Sequence, residues 1–143
     1  MLKTRLAAGV TALAATAGMV FGAAPSAAAA DYPYADIEMS HLKFGATYVT
    51  GRVTFYNRSA SVVGTGHFVG CRTLYAWAID KQPGDKEVAL DVGSTSPQCD
   101  KDHPINIPLE ANIAGGADRV ILELRDGAGK PFPTRVFMRY DLR

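Results

Sequence analysis

Thr47-Tyr48-Val49-Thr50-Gly51-Arg52-Val53-Thr54-Phe55-Tyr56 decides the fold class. Its residues alternate: Val49, Gly51, Val53 and Phe55 take one side, and Tyr48, Thr50, Arg52, Thr54 and Tyr56 the other. Successive side chains of a strand point to opposite faces, and β-branched and aromatic residues suit a pleated, half-buried surface. The stretch therefore predicts a strand with one face in a core and the other in water.

The same period continues in both directions. Upstream, Ile37, Met39 and His41 alternate with Glu38, Ser40 and Lys43, which predicts a first strand. Downstream, Asn57-Arg58-Ser59 is a turn, and Ser61 to Val69 resumes as a strand that Gly64 and Gly66 weaken or bulge. Arg72 to Asp80 sets Thr73, Tyr75, Trp77 and Ile79 against Leu74, Ala76 and Ala78. With both faces apolar, it reads as a central strand covered on two sides, and a helix is the competing reading on period alone. Gln82-Pro83-Gly84-Asp85 is a turn, and Glu87 to Val92 is a short alternating strand. Gly93 to Pro104 reads as the longest irregular stretch. Ile105, Ile107 and Leu109 alternate beside Pro104 and Pro108, which confine that segment to a sheet edge because proline cannot donate to the ladder. Arg119 to Arg125 places Val120, Leu122 and Leu124 inward, Asp126 to Lys130 is a hairpin loop, and Arg135 to Tyr140 sets Val136, Met138 and Tyr140 against Arg135, Phe137 and Arg139.

Seven or eight short strands separated by turn clusters imply a single antiparallel β-sandwich of immunoglobulin-like character, with a small barrel as the runner-up. Trp77 lies between Cys71 and Cys99, as a tryptophan does between the paired cysteines of immunoglobulin domains. The cysteine spacing is much shorter than in antibody domains and no tyrosine stands two residues before Cys99, so the likeness is one of architecture.

Residues 1–30 have a different texture. Lys3 and Arg5 precede an uncharged apolar run to Ala24, and Ala28-Ala29-Ala30 ends it. That order of charge, apolar run and small residues predicts a cleaved secretory signal peptide. An uncleaved anchor is the rival, but the run is rich in Ala, Gly and Thr rather than Leu, and its small-residue end favours cleavage. The expectation is a secreted, extracellular domain over residues 31–143. Cys71 and Cys99, the only two cysteines, then form a structural disulfide. Metal spacing such as C-x-x-C is absent.

Residues 31–143 carry 13 basic and 14 acidic side chains, a net charge of −1. Phosphate recognition needs a basic patch, and docking on anionic lipid needs a polybasic segment, so neither nucleic acid nor a membrane surface is expected as a partner. No later stretch approaches the roughly 18 apolar residues of a spanning helix. Charges such as Arg135 and Arg139 on the last strand discourage edge-to-edge pairing, which makes a monomer the default.

Candidate chemistry is sparse. His41, His67 and His103 coexist with many serines and aspartates, yet no nucleophile-elbow pattern is present, so no catalytic residue is assigned. Asp100, Asp102 and His103 cluster without the spacing of a calcium loop, and a solvated polar loop is the simpler reading. Gly64 to Gly70 lacks the spacing of a phosphate loop, and Asn57-Arg58-Ser59 fits both a glycosylation acceptor and a turn. No cofactor or metal is implied. Aromatics are the remaining lead. Tyr48, Arg52 and Tyr56 share the polar face of their strand and could form a ligand strip, while Trp77 reads as core. The expectation is a small non-enzymatic binding protein for polysaccharide, cell wall or another protein. An inhibitor that inserts the 93–104 loop into an extracellular enzyme is the alternative, and a small hydrolase using a histidine comes third.

Overall fold

The computed structural model describes residues 31–141. The signal-peptide reading of residues 1–30 lies outside the described residues. The chain runs through β1 (Tyr34–Ile37), β2 (Lys43–Phe44), β3 (Thr47–Phe55), β4 (Ser59–His67), β5 (Cys71–Gln82), β6 (Lys86–Ser94), β7 (Gln98–Cys99), β8 (Asp102–Glu110), β9 (Arg119–Asp126) and β10 (Pro131–Met138), then a 3-10 turn at Arg139–Asp141. All pairings are antiparallel. One sheet has the order β1-β3-β4-β8, with β2 also on β3; the other has β10-β9-β5-β6, with β7 also on β5. Both sheets are open, so the barrel is not formed.

The alternation read from the sequence produces one core shared by the two sheets. Val49, Val53 and Phe55 of β3 and Ile105, Ile107 and Leu109 of β8 join Leu74, Ala76 and Ala78 of β5 and Val120, Leu122 and Leu124 of β9 in a single buried cluster. Each large aliphatic side chain buried in this way contributes about 1.5–3 kcal/mol. One margin is tight: a Cβ on Gly93 of β6 would stand 2.5 Å from Ile107 Cγ2 of β8. At the same margin Asp91 Oδ2 accepts a 2.7 Å bond from the Glu110 amide. Elsewhere Phe44 of β2 and Phe132 of β10 pack with ring centroids 4.1 Å apart. The prolines of β8 behave as expected, since that strand ends its sheet and needs donors on one side only.

Several expectations need correction. The first strand lies earlier, at Tyr34–Ile37, because residues 38–41 turn, with the His41 amide donating to the Glu38 carbonyl. Segment 93–104 is not a long loop: Gly93 and Ser94 finish β6, β7 pairs with β5, and β8 starts at Asp102. The β3–β4 register runs unbroken from Tyr48↔His67 to Phe55↔Ala60, so Gly64 and Gly66 do not bulge the strand. Gly64 instead faces Gly51, where a Cβ on Gly51 would meet the Val63 carbonyl oxygen at 2.2 Å. A bulge does occur between β5 and β6 after Ala78, where β6 carries the extra residue Leu90, which packs against the core. Ile79, next to buried Ala78, is also covered, at 6% exposure. On β10 the buried residue is Phe137, at 6% exposure, whereas Val136 and Met138 stand at 43% and 42%.

Candidate functional site

The first sheet presents the face on which Tyr48, Arg52 and Tyr56 were expected, and the structure puts all three there, opposite buried Val49, Val53 and Phe55. They do not touch one another. At about 3.3 Å per residue, Arg52 stands roughly 13 Å from each tyrosine along the strand. Each has its own neighbour instead. The Tyr48 ring stacks on His67 at 5.0 Å between centroids, and Tyr56 meets Tyr32 edge-on at 4.8 Å. Arg52 donates from Nε to Asp36 Oδ1 at 2.9 Å and lies 3.8 Å over the Tyr34 ring. The hydrogen bond to Asp36, more than anything else, holds the Arg52 pKa above its ordinary value.

Register extends this face across β3, β4 and β8, and Asp36 of β1 adds a fourth strand beside Arg52. Tyr48, His67 and Asp102 align in one row, Thr50, Thr65 and Pro104 in the next, and Arg52, Val63 and Asn106 in the third. His67 Nδ1 and Asp102 Oδ1 are 2.5 Å apart. An aspartate on Nδ1 orients an imidazole as it does in proton-transfer sites, but among the described residues nothing hydrogen-bonds to His67 Nε2.

The other polar candidates separate. Asp100 Oδ1 accepts from the Gly70 amide at 2.6 Å, and the His103 ring stacks near Phe68. His41 Nδ1 accepts from the Glu38 amide at 3.2 Å. No three His, Cys, Asp or Glu side chains converge in a metal-binding arrangement among the described residues. Cys71 and Cys99 are register partners on β5 and β7, with sulfurs 2.02 Å apart and both residues exposed. The disulfide therefore staples neighbours within one sheet.

Sequence reasoning missed the outer face of the second sheet. Trp77 is not core: it stands half-exposed with Tyr75, their rings stacked 5.7 Å apart. Arg125 of β9 places its guanidinium 4.3 Å over Tyr75 and 5.6 Å over Trp77, with Nε donating to Glu123. Next to this group an apolar row, Val136–Ile121–Trp77–Val92, crosses the sheet, and Val92 is 54% exposed. The available signal was the size contrast on β5, whose inward positions are Leu74 and two alanines while the bulk stands outside. Compared with protein families, curated proteins and solved structures, the chain matches none.

Proposed function

We propose that the chain is a secreted, non-enzymatic binding domain over residues 31–143, an immunoglobulin-like β-sandwich whose first-sheet face contacts polysaccharide or cell-wall material. The observation that carries this reading is the shared outward placement of Tyr48, Arg52 and Tyr56 on a surface four strands wide. Hydroxyls, an imidazole and an amide fill the space between them, and such mixed aromatic and polar surfaces suit sugar rings, which have an apolar C–H face and a polar rim. The sandwich reading draws on the core common to both sheets. Secretion draws on the pattern of residues 1–30 and on a solvent-exposed disulfide. Among the described residues no helix is long and apolar enough to cross a membrane.

The inhibitor alternative draws less from the structure, because β7 and the start of β8 tie down the segment that would have to be inserted. A hydrolase reading would start from the His67–Asp102 pair and would still need a nucleophile at Nε2.

Retention of the oxidised protein on insoluble cellulose, chitin and peptidoglycan tests the proposal, with Tyr48→Ala/Tyr56→Ala in parallel. Retention on one polymer that the double variant loses supports it. No retention on any of them sinks it.

A further inference from the structure

A cleft of about 190 Å³ opens at one end of the second sheet, bordered by Arg72, Thr73, Tyr75, Pro97, Arg125 and Asp126. It lies away from the first-sheet face and does not depend on the function proposed for that face. We propose that this cleft binds the carboxylate of an acidic sugar residue, a hexuronate, with Arg125 as the principal ligand.

Arg125 is prepared for that role. Its Nε is committed to Glu123, and its guanidinium is stacked over Tyr75. The two Nη groups make no hydrogen bond among the described residues. A guanidinium held in place with its terminal fork open matches the bidentate geometry of a carboxylate. The open donors in the cleft favour an anion, with Glu123 offsetting part of the Arg125 charge. Arg72 and Arg125 border the cleft against a single carboxylate, Asp126, whose Oδ1 already accepts amides of Ala128 and Lys130 in its own hairpin. Arg72 stands beside the cleft with its Nη1 donating to the Cys71 carbonyl at 3.0 Å.

The remaining walls suit a sugar better than a bare anion. Tyr75 and Pro97 offer apolar surface, and Thr73 adds a hydroxyl. Gly127 and Gly129 keep the rim free of side chains, and around Gly129 nothing stands within 4 Å of where a Cβ would sit. The volume is below the roughly 300–1,000 Å³ usual for drug-sized ligands, so the cleft takes one ring rather than a length of chain.

Trp77 reports on the site, since it is the only tryptophan and lies under Arg125. The test is titration of the oxidised protein with trigalacturonate, followed by tryptophan emission, with the neutral galactose trimer and acetate as comparison probes. The expected result is a saturable emission change with trigalacturonate alone. Affinity should fall at least tenfold in Arg125→Gln and substantially in Arg125→Lys, which keeps the charge and loses the fork. Circular dichroism establishes that both variants fold. Tyr48→Ala/Tyr56→Ala should titrate like the parent, so failure of the first-sheet proposal leaves this result standing. No response to trigalacturonate at millimolar concentration overturns the inference. So does an equal response to the galactose trimer, which removes the need for a carboxylate, or to acetate, which removes the need for a sugar.

Discussion

Thr47 and Val69 exchange two hydrogen bonds: the Val69 amide donates to Thr47 Oγ1 at 2.9 Å, and that hydroxyl donates to the Val69 carbonyl at 3.3 Å. Thr47 opens β3 and is the one buried polar residue of the described core, while Val69 sits in the turn after β4. One side chain thus satisfies both backbone groups of a turn residue that has left the ladder. Thr47→Val keeps the shape and removes both bonds, leaving an amide unpaired. Such a loss costs about 1–3 kcal/mol, and urea unfolding should show that drop with an unchanged m-value. A drop of only a few tenths would mean that water replaces the hydroxyl.

Gly66 points toward the core, and the ring of Phe68 occupies the space its side chain would fill. A Cβ there would come 2.3 Å from Phe68 Cζ, and Phe68 is buried. Gly66→Ala must displace that ring, and overpacking of this kind costs about 1–3 kcal/mol. Gly66→Ala with Phe68→Leu should recover part of the loss, since the shorter side chain vacates the position. Denaturation of the single and double variants checks this. Additive losses would show that the ring is not the obstacle.

These two sites mark the limit of what the sequence reveals here. Alternation identified β3, β5, β9 and the inward residues Val120, Leu122 and Leu124, because period two is a local property. Proline at positions 104 and 108 placed β8 at an edge for an equally local reason. Gly64 and Gly66 misled, because their purpose is non-local: one admits the backbone of Gly51 and the other the ring of Phe68. The outward turn of Trp77 was hidden because both sides of β5 are apolar, and only the pairing with β9 shows which side is core. Of the candidate site, the common face of Tyr48, Arg52 and Tyr56 was legible from parity. Their partners Asp36, Tyr34, His67 and Tyr32 were not, since cross-strand register sets them.

Tyr140 donates from its hydroxyl to Asp118 Oδ1 at 3.0 Å. That hydrogen bond, reinforced by the aspartate's charge, raises the phenol pKa above its ordinary 10.0. The folded state holds this proton more tightly than the unfolded state does. The stabilising effect is therefore complete below pH 10.0 and is lost as pH climbs through the raised value. The residue is highly exposed, so the effect on stability is small, and the clearer readout is the phenolate absorbance. Asp118→Asn should move one tyrosine's titration toward lower pH, and Tyr140→Phe should delete that same component. An Asp118→Asn titration identical to the parent's would discount the pair.

The last prediction concerns the disulfide, whose cysteines lie 28 positions apart in sequence. Closing a loop of that length restricts the unfolded chain and contributes about 3–4 kcal/mol on chain-entropy reasoning. The folded side has independent ties. The Leu74 amide donates to Thr95 Oγ1 and its carbonyl accepts from the Thr95 amide, while Asp100 holds Gly70 and the Lys101 carbonyl accepts from Phe68. Cys71→Ala/Cys99→Ala should therefore fold to the same structure, with native amide chemical shifts away from residues 71 and 99. Its unfolding free energy should be lower by about 3 kcal/mol. The urea m-value should rise, because the open chain exposes more surface when it unfolds. Because both cysteines are exposed, dithiothreitol should also reduce the parent faster than the parent unfolds. Reduction that runs no faster than global unfolding would mean that the sheet must open first, and β7 would then belong to the cooperative core.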